Sequence, residues 1–307
     1  MITHENARWR LAGFAMSAGG SMLFAIKGVL IKLIYAHHVD AVTLLALRMV
    51  IALPVFVGIG LIGWRRTPIE RRPDRRSLGL AALIGVLGYY VSSLLDFQGL
   101  VTLEAQTERL ILFTYPFLVI LFGRLLLNHP VRFHALAGAG LSYAGLILMF
   151  ASDPSRLTTA MLSGAALVGC SAVTFALYQL YAREMILRCG PSLFTAVALS
   201  SAGVSVITHF LLTHNAGSIS LPAQAWALIV ALAIFATILP TFLMSAGTAR
   251  IGAQGTAIIG TISPAVTIAL AVAVLGEPFG LPEAMGTMMV MGGVGLFSLI
   301  ESRKPSA

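Results

Sequence analysis

Charge is what this 307-residue sequence has least of: Asp, Glu, Lys and Arg make up 10%, against 58% hydrophobic residues. An average soluble domain is about one quarter charged. With a mean hydropathy of +0.90, too few polar residues remain to coat a water-facing globule. A soluble enzyme, a disordered chain and a collagen are excluded on that count. Cysteine is nearly missing too, and Cys170 and Cys189 cannot build a disulfide framework. Catalytic motifs are absent: no HExxH helix, no Walker A loop, no GxSxG elbow and no paired-aspartate prenyltransferase motif. No metal set and no cofactor is therefore expected, and ATP cannot drive this chain by itself. The start, MITHENARWR, lacks a small-residue cleavage site near a short apolar core, so the first apolar run reads as a retained helix.

What is there is long apolar segments. A hydrocarbon core of about 30 Å needs roughly 20 apolar residues per helix. Segments of that size lie near 11–35, 42–63, 78–101, 107–127, 134–151, 160–181, 192–213, 223–246, 255–275 and 283–300. The reading is an all-α polytopic membrane protein of ten transmembrane helices. The third/fourth and eighth/ninth boundaries are soft, because Gly and Thr run through them.

Basic residues orient it. With the amino terminus inside, the inner set is Arg8, Arg10, Arg65, Arg66, Arg71, Arg72, Arg75, Arg76, Arg124, Arg132, Arg183, Arg188, Arg250, Arg303 and Lys304. Arg109 and Arg156 fall outside, with Lys32 near the outer edge. Fifteen against three places both termini in the cytoplasm. The net charge of +8 thus marks topology, with the lipid bilayer as the partner and no nucleic acid. Trp9, Trp64 and Trp226 fall at span ends, where an interfacial belt sits.

The chain also repeats itself. Residues 99–150 slide onto 247–298 without a gap, at an offset of 148. Gly99 meets Gly247, Ala105–Gln106 meets Ala253–Gln254, Pro116 meets Pro264, and Pro130 meets Pro278. Gly138 meets Gly286, and Gly145 meets Gly293. Gly13 and Phe24–Ala25 match Gly164 and Phe175–Ala176 at a slightly larger offset. Composition bias supplies leucines and glycines, but not two pairs of prolines in register. Two five-helix repeats follow, over 1–153 and 154–307. An odd helix count makes the second repeat inverted, an architecture that sets a binding site at the repeat interface and favours alternating access.

The stretches 126–150 and 274–300 carry a family resemblance, with Leu275, Gly276, Glu277 and Pro278 intact where the first repeat has Leu127, Asn128, His129 and Pro130. With Arg48 on the second helix, this pattern resembles the drug/metabolite transporter superfamily, in particular its EamA-type ten-helix members. Among these the chain looks most like bacterial, YddG-like exporters of aromatic amino acids. The resemblance implies a multi-pass transporter of the bacterial inner membrane, with helices one, three, four, six, eight and nine lining the path.

Charge buried in a membrane marks a pathway or a paired scaffold. Lys27, Arg48, Asp96, Glu104, Glu108 and Arg109 all fall in the outer half of the first repeat. Two readings stay open: acids paired with Lys27, Arg48 and Arg109 in a locked rim, or a wet vestibule for a charged solute. Lys27 lies about two-thirds of the way across helix one, where a cation favours a carboxylate-bearing substrate. Phe24, Tyr89, Tyr90, Tyr115, Phe175 and Tyr178 are candidate walls for an apolar body, with Thr237 and Ser263 as polar contacts. Tyr89 and Tyr90 cannot both aim the same way on a helix. Pro116 and Pro264 are candidate hinges, since each removes a backbone bond. Pro240 has Ser92 as its counterpart, so no symmetric hinge is expected there. His209 reads as a hydrogen-bonded packing residue. Gly138, Gly140, Gly286, Gly292, Gly293 and Gly295 give helices five and ten the spacing of a tight scaffold.

The expected function is export of small metabolites, most of all aromatic or large apolar amino acids. Proton-coupled and facilitated transport both stay open. The rivals are an organic-anion or nucleotide-sugar carrier, which needs deep cations in both repeats, and an intramembrane enzyme, which needs a nucleophile–base pair.

Overall fold

The computed structural model describes residues 4–69, 72–128, 133–152, 157–215, 217 and 219–302. Arg71, Arg132, Arg156, Arg303, Lys304, the His129–Pro130 pair and the 153/154 boundary lie outside the described residues. The chain is all-helical and forms ten spans. They are α1 (His4–Ala25 and Lys27–Tyr35), α2 (Ala41–Arg66), α3 (Arg75–Gly85, Val86–Val91 and Ser92–Thr102) and α4 (Ala105–Leu112 and Tyr115–Leu127). Next come α5 (Phe133–Ser152), α6 (Thr159–Cys189) and α7 (Pro191–Thr213). The helix Leu239–Gly260 is bent at Gly252, whose φ of 76° no helix allows. It splits there between α8, which opens with Ala223–Ala233 and Ile234–Ile238, and α9, which continues with Ser263–Leu270 and Ala271–Leu275. Last is α10 (Leu281–Ser302). Eight of these spans, all but α9 and α10, are long and apolar enough to cross a bilayer among the described residues.

Helix starts follow ordinary capping chemistry. Asp40 accepts from the N–H groups of Val42 and Thr43 at α2, Asp74 from Ser77 at α3, and Thr158 from Met161 at α6. Partial burial pushes the Asp40 carboxyl up. The Thr43 and Val42 bonds and nearby His214 outweigh it, leaving Asp40 below the usual carboxylate range.

The duplication is written into the packing. A Cβ added to Gly138 would lie 2.7 Å from Gly293 O, and one on Gly145 would lie 2.7 Å from Gly286 O. Between them Ser142 Oγ donates to Val290 O at 3.1 Å. Numbers rise along α5 as they fall along α10, so the pair is antiparallel. Each glycine also meets the counterpart of the other, the pattern a twofold axis imposes. The glycines matched near the repeat starts behave alike. Gly247 on α8 packs on Gly13 of α1, while Gly99 on α3 packs on Gly164 of α6. The two repeats are therefore inverted, and they interlock through backbone close approach. Gly140 and Gly295 meet nothing within 4 Å, and Gly292 meets a single leucine methyl at 3.9 Å, so only half of the proposed glycine stripe is scaffold.

The irregularities repeat as well. Turns of π-helix interrupt α3 at Val86–Val91 and α8 at Ile234–Ile238, and α4 and α9 break at Phe113–Thr114 and Thr261–Ile262. Both pairs sit 148 residues apart. Pro116 and Pro264 occupy the first turn after each break, where a missing N–H costs nothing. The breaks precede the prolines. Pro240 follows the α8 π turn, but α3 makes the same turn with Ser92, so this irregularity is symmetric where none was expected.

Gly293→Val should overpack the α5–α10 crossing and cost about 1–3 kcal/mol, read as a lower Tm of detergent-solubilised protein. Gly140→Val, which meets open space, should leave Tm within a degree or so of the parent. Equal Tm for both variants would remove the crossing as a source of stability.

Candidate functional site

Three interrupted helices meet in the half of the bundle away from the termini: α1 broken at Ile26, the first segment of α4, and the second segment of α9. A break in hydrocarbon strands carbonyls, which only protein or trapped water can satisfy. Thr267 of α9 donates Oγ1 to Ala25 O at 2.9 Å, repairing α1. At the α4 break Ile111 O accepts from both Thr114 N and Thr114 Oγ1, at 3.1 and 2.7 Å.

Lys27 is the first residue beyond the α1 break. Its Nζ lies 2.6 Å from Asp96 Oδ2 on α3 and 4.0 Å from Glu108 Oε1 on α4. Asp96 and Glu108 are 3% and 1% exposed, and Lys27 is 16% exposed, so this is a buried charge cluster. The expected rim of three acids on three cations does not form. Arg109 donates to Ser263 Oγ at the α9 break, and Glu104 accepts from Gln106 Nε2. Arg48 is buried with its guanidinium 4.8 Å over the Phe97 ring. The Arg48 and Arg109 side chains are too far from the acids for an ion pair, so geometry rather than charge decides that Lys27 alone holds both.

The network is underfilled. Among the described residues seven buried side-chain polar atoms lack a hydrogen-bond partner, and five of them are here: Arg48 Nε, Asp96 Oδ1, Gln106 Oε1, Glu108 Oε1 and Arg109 Nε. Buried polar atoms without partners are costly, so packing alone does not account for their concentration in one place.

The rings gather next to it. Tyr115, at the start of the second α4 segment, meets Phe175 of α6 edge to face at 5.0 Å between centroids. Phe175 stacks on Tyr178 at 5.5 Å, and Tyr178 meets Tyr89 of α3 at 4.9 Å, with the two hydroxyls 2.9 Å apart. Gly88 leaves the gap that the Tyr178 ring fills. Tyr90 turns away, and its hydroxyl bonds His209 Nδ1 at 3.0 Å on α7. Phe24 is half-buried on α1, outside this ring cluster. Thr237 is buried in the α8 π turn and donates to its own helix at Leu232 O. A recess of about 280 Å³ opens at the end away from the termini, lined in part by Thr102, Glu104, Thr158 and Glu283, and none of the residues expected to bind substrate line it.

Sequence reasoning passed over two features. In the sequence Glu277 is part of a family signature, yet its carboxylate accepts from the backbone N–H of Ala105 and Gln106 at 2.6 and 3.1 Å, across 172 and 171 residues. The π turns carry no residue signature of their own, though such turns frequently fall at functional sites.

Inverted halves, helices broken near a buried charge cluster, and an adjoining set of rings define a membrane transporter. Residues 11–151 and 162–299 each match the EamA-like transporter family, and the chain belongs to that family. It is a transporter and not an enzyme. It is 28% identical over 271 residues to the uncharacterized transporter YcbK of Bacillus subtilis (strain 168), covering 87% of this chain and 86% of that protein. The uncharacterized transporter YyaM of the same organism is 26% identical, over 74% of this chain and 75% of its own. A protein crystal structure superposes with a TM-score of 0.66 at 19% identity, covering 98% of this chain and 99% of that one, which shows a shared fold.

Lys27→Met should leave two buried carboxyls without their cation, a loss of about 3–5 kcal/mol for a buried pair. Folded yield and Tm should fall, and adding Asp96→Asn should recover part of both. A double-mutant cycle with no coupling between the two positions would dissolve the pair as an energetic unit.

Proposed function

We propose that this transporter exports small carboxylate-bearing metabolites, foremost aromatic and large apolar amino acids, across the bacterial inner membrane by alternating access. Both termini face the cytoplasm in this reading, because the arginines cluster on their side. One observation carries the substrate class. Tyr115 belongs to the ring cluster, and its counterpart in the other repeat, Ser263, accepts from Arg109 at the edge of the charge cluster. In this reading the ring cluster at the α4 break takes an apolar body, and the Arg109 end at the matching α9 break takes a charged head. Lys27 and Arg109 are the cations for the carboxylate, while Tyr89, Tyr115, Phe175 and Tyr178 are the wall for the side chain. Pro116 and Pro264, each just past a break, mark where the α4 and α9 segments pivot. The organic-anion alternative wants deep cations in both repeats, and the spans of the second repeat hold none deep among the described residues.

Purified protein in liposomes should take up labelled phenylalanine saturably, and excess tryptophan or leucine should compete it away. Running the assay with and without an imposed proton gradient separates proton-coupled from facilitated transport. Tyr115→Leu should raise the KM for phenylalanine about tenfold, the weight of one ring contact of ~1.4 kcal/mol. Folded protein that takes up no amino acid would overturn the assignment.

A further inference from the structure

We propose that Glu277 is the gate latch of the side away from the termini: its carboxylate, carried by the second repeat, ties down the first turn of α4 and biases the transporter towards closure on that side alone. The inference rests on the alternating-access reading.

A helix start leaves its first N–H groups without partners. At α4 the local residue in capping position, Glu104, makes no side-chain cap bond. The cap comes instead from the turn between α9 and α10. Glu277 Oε1 accepts from Ala105 N at 2.6 Å and Oε2 from Gln106 N at 3.1 Å, while Gln106 Nε2 donates to Pro278 O at 2.8 Å. An anion at a helix N-terminus gains from the hydrogen bonds and from the helix dipole. Glu277 is 8% exposed and Gln106 fully buried, so water offers little competition. The turn that aims Glu277 is itself built. The α9 π turn ends on Gly276 in a left-handed conformation with φ of 67°, and Glu277 N returns a bond to Ala271 O.

What Glu277 holds is a short lever. The first α4 segment, Ala105–Leu112, is eight residues long and ends at the Phe113–Thr114 break. It carries Glu108 and Arg109, so releasing its start lets the segment swing about the break and take both side chains with it. Hydrogen bonds from one repeat to a hinged segment of the other are what an openable closure requires.

The repeat match makes the latch one-sided. Ala105–Gln106 corresponds to Ala253–Gln254, the same dipeptide, so the second repeat keeps the receiving half. Position 129, which corresponds to Glu277, is histidine. A neutral imidazole offers one acceptor where a carboxylate offers two and a full charge. The carboxylate at this repeat position is thus carried by the second repeat alone.

The test needs no substrate. Leu110 is fully buried on the lever, so Leu110→Cys in a Cys170→Ser, Cys189→Ser background reports when the lever moves. Membrane vesicles of both orientations are labelled with a membrane-impermeant maleimide. Glu277→Gln sets an amide N–H against a backbone N–H, and labelling from the side away from the termini should rise about tenfold. Gln106→Met, which removes the side-chain bonds to Pro278 O and Glu104 but keeps the Glu277 cap, should raise it less, in the same direction. Unchanged labelling in both variants overturns the latch, and so does an equal rise from both sides, which signals general loosening. If Glu277→Gln does not fold, Gln106→Met decides by the same criteria. A labelling difference without amino-acid transport overturns the substrate assignment alone; transport without the difference overturns the latch alone.

Discussion

In hydrocarbon a backbone carbonyl has no water to turn to, and that constraint governs where this chain is allowed to be irregular. Four of the interruptions carry a hydroxyl that bonds a carbonyl at or beside the irregular turn. Thr267 serves the α1 break, Thr114 the α4 break, and Thr237 the π turn of α8. At the matching turn of α3, Ser92 and Ser171 exchange bonds with each other and with each other's carbonyls. Hydroxyls on the inner faces are therefore what makes broken helices affordable, and broken helices are what a transporter needs in order to bend. The same repairs explain why the charge cluster can exist. It sits where backbone disorder in the helices has already been made polar.

Much of this was legible beforehand, for identifiable reasons. Ten apolar segments announce themselves by length, and an alignment with prolines in register is hard to produce by chance. The alignment even foretold contacts, because matched glycines turned out to be the touching points of α1 with α8 and of α3 with α6. What stayed hidden depends on distance or on register. The Ile26 break has no proline to signal it, and its partner lies more than two hundred residues away. The π turns are a choice of hydrogen-bond register that many sequences can make. Glu277 stood in plain view as a motif, but its role depends on two amides from the other half of the chain. Arg48 and Arg109 looked like partners for acids, since charge suggests pairing and says nothing about reach.

The halves are alike in backbone and unlike in chemistry. The α4 and α9 breaks, the α3 and α8 π turns, and the left-handed caps at Asn128 and Gly276 recur at the same spacing, whereas the α1 break and the α9 π turn have no counterpart in α6 and α4. Deep charge stays in the first half, whereas the matching positions of the second half are uncharged. Asp96 corresponds to Met244 and Glu108 to Thr256. A symmetric frame that holds an asymmetric site can present its two openings with different barriers, which is the condition for preferring one direction of loading.

Ser142 and Val290 are each other's repeat counterparts, and they touch across the α5–α10 crossing. A position on the symmetry axis faces its own copy. In an ancestral half-length chain pairing with itself, whatever residue stood there met an identical residue, serine on serine or valine on valine. Two serines would have met hydroxyl to hydroxyl, and two valines methyl to methyl. Fusion into one gene removed that identity. It allowed a single donor to be placed on one side of the axis and a filler on the other, an arrangement that no self-pairing ancestor could encode.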